Sequence, residues 1–160
     1  HNYLKQMATK TAQTIEELIT KHTQTYCDKL TASKKEALKR MRTNIDKDGF
    51  LCPVWFDKDG NYTGEENPEY FTFIKGRKYL KVVVMEWRDD AKYGRINADP
   101  AGYKPSHVHC FIDKKTGDVH KAASWEAPQK NAIRYNIIEQ TDKLFELAEK
   151  SDGYAGHLYK

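Results

Sequence analysis

The stretch Arg77–Trp87, RKYLKVVVMEW, constrains the fold more than any other part of the chain. Successive residues of a strand point to opposite faces. Here Leu80, Val82 and Val84 fall on one face, and Tyr79, Val83 and Met85 on the other. Both faces are largely apolar, so the segment reads as a central strand covered on both sides. The chain must therefore supply neighbouring strands and something to lie over them.

Those neighbours are legible on either side. YFTFI, residues 70–74, is a second strand, joined to the first through Lys75 and Gly76. FLCPVWF, residues 50–56, is a third, with Pro53 placing it at a sheet edge or on a bulge. Residues 57–69 and 88–105 read as loops, the second unusually long. DKKTGD, residues 113–118, is a hairpin connection in which Gly117 supplies the positive φ. Pairing Asp113 with Asp118 sets Ile112 opposite Val119, Phe111 opposite His120 and His109 opposite Ala122. Val108, Cys110, Ile112 and Val119 then share one face, and His107, His109 and His120 share the other with Phe111.

The covering elements carry the 3.6-residue period. Thr14 with Glu17, and Ser33 with Glu36, form two capping-box patterns. Ile15, Leu18, Ile19, His22, Tyr26 and Leu30 follow the first, and Ala37, Leu38, Met41 and Ile45 the second. Two helices are expected, over about 15–30 and 34–45, bent at LTAS. The first dozen residues are an arm or a helix extension. A closing helix over about 129–150 carries Ile133, Ile137, Thr141, Leu144 and Ala148, and SDGYAGHLYK is its glycine-broken, flexible tail. The expected architecture is α+β in one domain, residues 1–160. Residues 1–48 form a helical N-terminal part, and 49–160 an antiparallel sheet of four or five strands plus the closing helix.

At 160 residues the chain can bury a core without staples. No apolar run is long enough to span a bilayer, so a soluble protein is expected, with no membrane partner. Cys27, Cys52 and Cys110 show no CxxC spacing, and their odd number argues against a disulfide framework. Reduced thiols in a cytoplasmic setting are the expectation. A chain that opens on His1 is expected to lack a few residues at its front.

Four chemistries are worth weighing. His107, His109 and His120 could offer three nitrogens with an open position to Zn or another divalent transition metal, the basis of a metal-dependent hydrolase. On one strand face, the first two imidazoles would lie about 7 Å apart. No carboxylate is placed to orient the rings, and Phe111 stands in their row. Asn44, Asp46, Asp48 and Gly49 match the first half of a calcium loop. Its twelfth position is Trp55, however, and Pro53 interrupts the second helix, so a helix exit capped at Gly49 is the better account. Nucleophilic catalysis has little support, because Cys110 and His109 would point to opposite strand faces.

Nucleic acid is the fourth. Lys29, Lys34, Lys35, Lys39, Arg40, Arg42 and Lys47 cluster on the second expected helix, and Lys75, Arg77, Lys78 and Lys81 near the central strand. Phosphate binding needs such patches, and Tyr79 or Trp87 could stack bases. The ordinary account is a solvated helix face.

KGRKYLKVVV followed by SHVHCFIDKKTGDVHKAASWEAPQKNAIRYNI resembles a widespread group of small tailed-bacteriophage proteins. Its pattern is a strand opening Gly-Arg-Lys-Tyr, then a VHxFVDxxTGDVYKxASWxxPxKxxRxN-like segment. The resemblance spans about 75–136 and rests on Gly76, Arg77, Lys78, Tyr79, His109, Phe111, Gly117, Lys121, Ser124, Trp125, Pro128, Lys130, Arg134 and Asn136. It implies a phage origin, and with it the host cytoplasm during infection or the virion, but no catalytic residue. This chain departs from the pattern at His120, where tyrosine is usual, and at His107, where a small residue is. A three-histidine site would thus be its own peculiarity.

The matched positions suggest a surface rather than an active site. Trp125 and Pro128 fall at a corner before the closing helix, where Trp125 could equally plug the core and Arg134 pair with a carboxylate. The expected function is a non-enzymatic, cofactor-free accessory protein. It would bind nucleic acid, or an acidic host or virion protein, through Lys39, Arg42, Arg77, Lys78, Lys81, Lys121, Trp125, Lys130 and Arg134. A virion structural component is the remaining alternative.

Overall fold

The computed structural model describes residues 2–48, 59 and 67–159, with side chains for 14–38, 59 and 67–159 apart from Tyr93. The expected strand over 50–56, most of the calcium-like loop and the side chains of Lys39 and Arg42 lie outside these residues. The architecture is α+β: an N-terminal helix, a five-stranded antiparallel sheet and a C-terminal helix.

The N-terminal part is one helix, α1 (Asn2–Asp48), where two were expected. No glycine or proline occurs between residues 2 and 48, so nothing obliges the chain to bend at LTAS. Ser33, expected to cap a second helix, instead serves another element. Its hydroxyl donates to the Glu149 carbonyl at 3.0 Å and accepts from the Asp152 N–H at 2.9 Å. Thr20, Thr23, Thr25 and Thr31 donate to carbonyls four residues back, which reconciles them with a helix interior. Ile19, Thr23, Tyr26, Cys27, Leu30 and Ser33 form the buried stripe, while Ile15 and Leu18, expected on it, are exposed.

The strands are β1 (Tyr70–Lys75), β2 (Tyr79–Arg88), β3 (Gly102–Asp113), β4 (Asp118–Ala122) and β5 (Pro128–Asn136), paired in chain order. Leu80 and Val82 face α1 together with Ile112 and Val119. Val83 is also fully buried, on the opposite face, as expected for a central strand. The loop expected over 88–105 is shorter, because β2 and β3 extend into it and a 3-10 turn, Asp90–Tyr93, fills the middle.

The hairpin register is as the sequence predicts: Ile112 pairs with Val119 and Phe111 with His120. Gly117 has φ +78°, and a Cβ there would meet the Ile137 and Ile138 side chains at 3.2 Å. The departure comes higher up. Val82 pairs with Cys110 but Val83 with Val108, leaving His109 as an extra residue in a β-bulge.

The closing helix is also corrected. Residues 128–136 form the edge strand β5, and only α2 (Thr141–Glu149) is helical. Asn136 ends the strand. Its Nδ2 donates to the Thr116 carbonyl (2.8 Å) and to Asp118 Oδ1 (3.0 Å). Its Oδ1 accepts from the Ile138 and Glu139 N–H groups, both at 2.9 Å. That turn starts a new direction, which helical spacing alone does not reveal. The segment read as a flexible tail is built into the core, with a 3-10 turn, Gly156–Leu158, and Leu158 fully buried.

Candidate functional site

The bulge decides the fate of the three histidines. His109 turns to the α1 side and shares it with Cys110, against the strict alternation expected of them. Tyr26, at the centre of the buried helix stripe, places its hydroxyl 2.7 Å from His109 Nε2 and 2.7 Å from His157 Nε2. One ring must carry its proton on Nε2 and donate to the phenol oxygen, while the phenol donates to the other ring. Phe71 packs edge-on against His109, and the Tyr135 hydroxyl donates to the His157 carbonyl. Burial, with His157 adding to it, lowers the His109 pKa to about 3. Burial likewise raises the Tyr26 phenol well above its ordinary value, with the neighbouring Cys110, Cys27 and Tyr135 contributing in the same direction. At neutral pH Tyr26 and His109 are therefore uncharged, and the trio is hydrogen-bonded internally.

His120 lies across the sheet, where its ring meets Tyr79 and its Nδ1 faces the Gln129 carbonyl at 3.1 Å. His107 is exposed at the far end of β3, 3.0 Å from Ser106 Oγ. The expected three-nitrogen set is thus divided among three environments. Among the described residues no group of three or more His, Cys, Asp or Glu is arranged to hold a metal ion. Burial also pushes both the Cys27 and the Cys110 thiols up, which keeps them protonated and poor nucleophiles.

The basic and aromatic residues fare differently. On the face opposite α1, Lys81 Nζ sits 4.6 Å from the Trp125 ring centroid and 5.7 Å from that of Phe111, and Lys78 Nζ sits 5.4 Å from that of Tyr79. Trp125 is held in the β4–β5 turn, where Ser124 Oγ accepts from the Glu126 and Ala127 N–H groups, both at 3.2 Å. It is 40% exposed, so it does not plug the core. Pro128 opens β5 opposite Ala122 instead of starting a helix.

Arg77 and Lys78 form the β1–β2 turn. Because Tyr79 pairs with Asp113, the β3–β4 turn leaves the same end of the sheet. That brings Lys114 and Lys115 beside them. The sequence marks the pair only as turn residues, although alternate turns of a meander always emerge at one end. Lys121 is not part of this surface. It pairs with Cys110, on the α1 side, and its Nζ lies 3.9 Å from the Tyr159 ring centroid. Lys130 is exposed on β5, and Arg134 is half-buried there. No helix among the described residues is long and apolar enough to cross a membrane.

No curated protein and no solved structure matches the chain. A family of unknown function (DUF7717) matches residues 1–160, so the chain belongs to that family along its whole length.

Proposed function

We propose that the protein is a bacteriophage accessory protein that binds single-stranded nucleic acid through the sheet face opposite α1 and the β1–β2 and β3–β4 turns, without a cofactor and without catalysis. It would act in the host cytoplasm during infection. The observation that carries this reading is the Lys81–Trp125–Phe111 stack on the face opposite α1, where Lys78 also lies over Tyr79. Cations attract the phosphate backbone, and an aromatic ring held at the surface can stack a base of any identity. Among the described residues, Lys75, Arg77, Lys78, Lys81 and Lys115 form no ion pair, so their charge is not cancelled internally.

The test is anisotropy of a labelled single-stranded oligonucleotide across a salt series. Binding should weaken steeply with salt, and Trp125→Ala should cost about 1–3 kcal/mol through lost stacking. Absence of binding at low salt would overturn the reading and leave an acidic host or virion protein as the partner. Stoichiometric zinc or manganese held by the purified protein would overturn the cofactor-free part.

A second reading, a virion component, is favoured by α1 itself. Its 47 residues span about 70 Å, whereas the longest strand has 12 residues. A concentration-independent higher oligomer in sedimentation would support it.

A further inference from the structure

Between the β1–β2 turn, the β3–β4 turn and α1 lies a cleft of about 540 Å³, lined by Glu16, Arg77, Lys78, Lys114, Lys115 and Thr116. Lys114 ties the two turns together, and Asp113 braces its own turn. Lys114 Nζ donates to the Gly76 carbonyl at 3.0 Å and the Arg77 carbonyl at 3.4 Å. Asp113 Oδ1, also lining the cleft, accepts from the Lys115 N–H (2.8 Å) and the Thr116 N–H (3.0 Å). The frame is thus fixed before anything binds.

Arg77, Lys78 and Lys115 are left exposed, with no ion pair among the described residues. Arg77, Lys78, Lys114 and Lys115 outnumber the Glu16 and Asp113 carboxylates among the lining residues, and an anion beside the cations is favoured. A guanidinium with two ammonium groups suits the several oxygens of a phosphate. Glu16 adds the opposite demand. Its carboxylate would repel a bare phosphate but accept from an N–H or O–H group. The two demands are met by a molecule with a phosphate at one end and a donor at the other.

We infer that this cleft binds one nucleotide unit, its phosphate on Arg77, Lys78 and Lys115 and a base amino or sugar hydroxyl group on Glu16. The unit is a free nucleoside monophosphate or the phosphorylated 5′ end of a strand; the second source rests on the nucleic-acid reading above.

Calorimetric titration of the full chain tests this with four probes: adenosine monophosphate, pyrophosphate, a 5′-phosphorylated oligonucleotide and its dephosphorylated twin. Arg77→Gln and Lys115→Gln should each weaken adenosine monophosphate about tenfold, the scale of a charge-assisted hydrogen bond. Glu16→Ala should weaken adenosine monophosphate yet tighten pyrophosphate, a pair of opposite signs that misfolding cannot produce. A preference for the phosphorylated oligonucleotide assigns the strand end. Equal binding of the twins, with adenosine monophosphate bound, assigns the free nucleotide. The inference is overturned if adenosine monophosphate does not bind and the twins bind equally, or if Glu16→Ala moves both small probes in one direction. Failure of both oligonucleotides at low salt, with adenosine monophosphate still bound, sinks the nucleic-acid reading and leaves the cleft standing.

Discussion

The α1 side of the sheet and the end formed by the β1–β2 and β3–β4 turns use polar residues in opposite ways. Under α1, Tyr26, His109 and His157 are gathered and bonded to one another, with Tyr26 and His109 held neutral by burial. At the turns, Arg77, Lys78 and Lys115 are gathered, charged and unpaired among the described residues. A buried group left without a partner costs about 1–3 kcal/mol, whereas an exposed cation costs little. Partnered polar groups in a core are therefore explained by stability alone. Concentrated charge at a surface costs little in water, and it is what the proposed phosphate-binding surface would need.

The sharpest way to break this contrast is Tyr26→Phe. It leaves both Nε2 atoms facing a ring edge, so a loss of about 2–4 kcal/mol is expected in urea unfolding. A loss below about 0.5 kcal/mol would mean that the network contributes little. Acid should attack the same region next. The folded His109 pKa, about 3, lies below its unfolded value near 6.5, so the unfolded chain binds the extra proton. That contribution is fully present above pH 6.5 and is lost as pH falls towards 3. At pH 5 about 2 kcal/mol should be gone, and His109→Gln should flatten the dependence. Gly117→Ala should cost about 1 kcal/mol or more, from its positive φ and the 3.2 Å contacts with Ile137 and Ile138, measured as a lower Tm. Smallest of all, Lys78→Gln and Lys115→Gln should each change stability by less than about 0.5 kcal/mol.

The same contrast explains what could be read in the chain before its structure. The β3–β4 register was legible because Gly117 allows one turn and a one-residue slip would invert every side chain. The bulge at His109 was not, since alternation carries no mark of an inserted residue. With it went the shared histidine face, and the partnership of His109 with Tyr26 and His157 stayed hidden. The capping boxes at Thr14 and Ser33 misled because a cap is a local preference, overridden where no glycine or proline stops the helix. Residues 128–136 misled because Ile133, Ile137 and Leu144 fit a helix as well as they fit a strand followed by a helix. Of the candidate surface, Arg77, Lys78, Lys81 and Trp125 were legible as charge and aromaticity. Lys114 and Lys115 joined them only once the meander order was known.

The most direct measurement is the slope of log Kobs against log salt for a single-stranded oligonucleotide, taken for the natural chain and for Arg77→Gln/Lys78→Gln/Lys115→Gln. A clearly negative slope is expected for the natural chain. With about 0.7 lost per phosphate contact, the triple variant should be shallower by about two, at unchanged Tm. An equal slope in the two proteins, or no binding at low salt, would contradict the account.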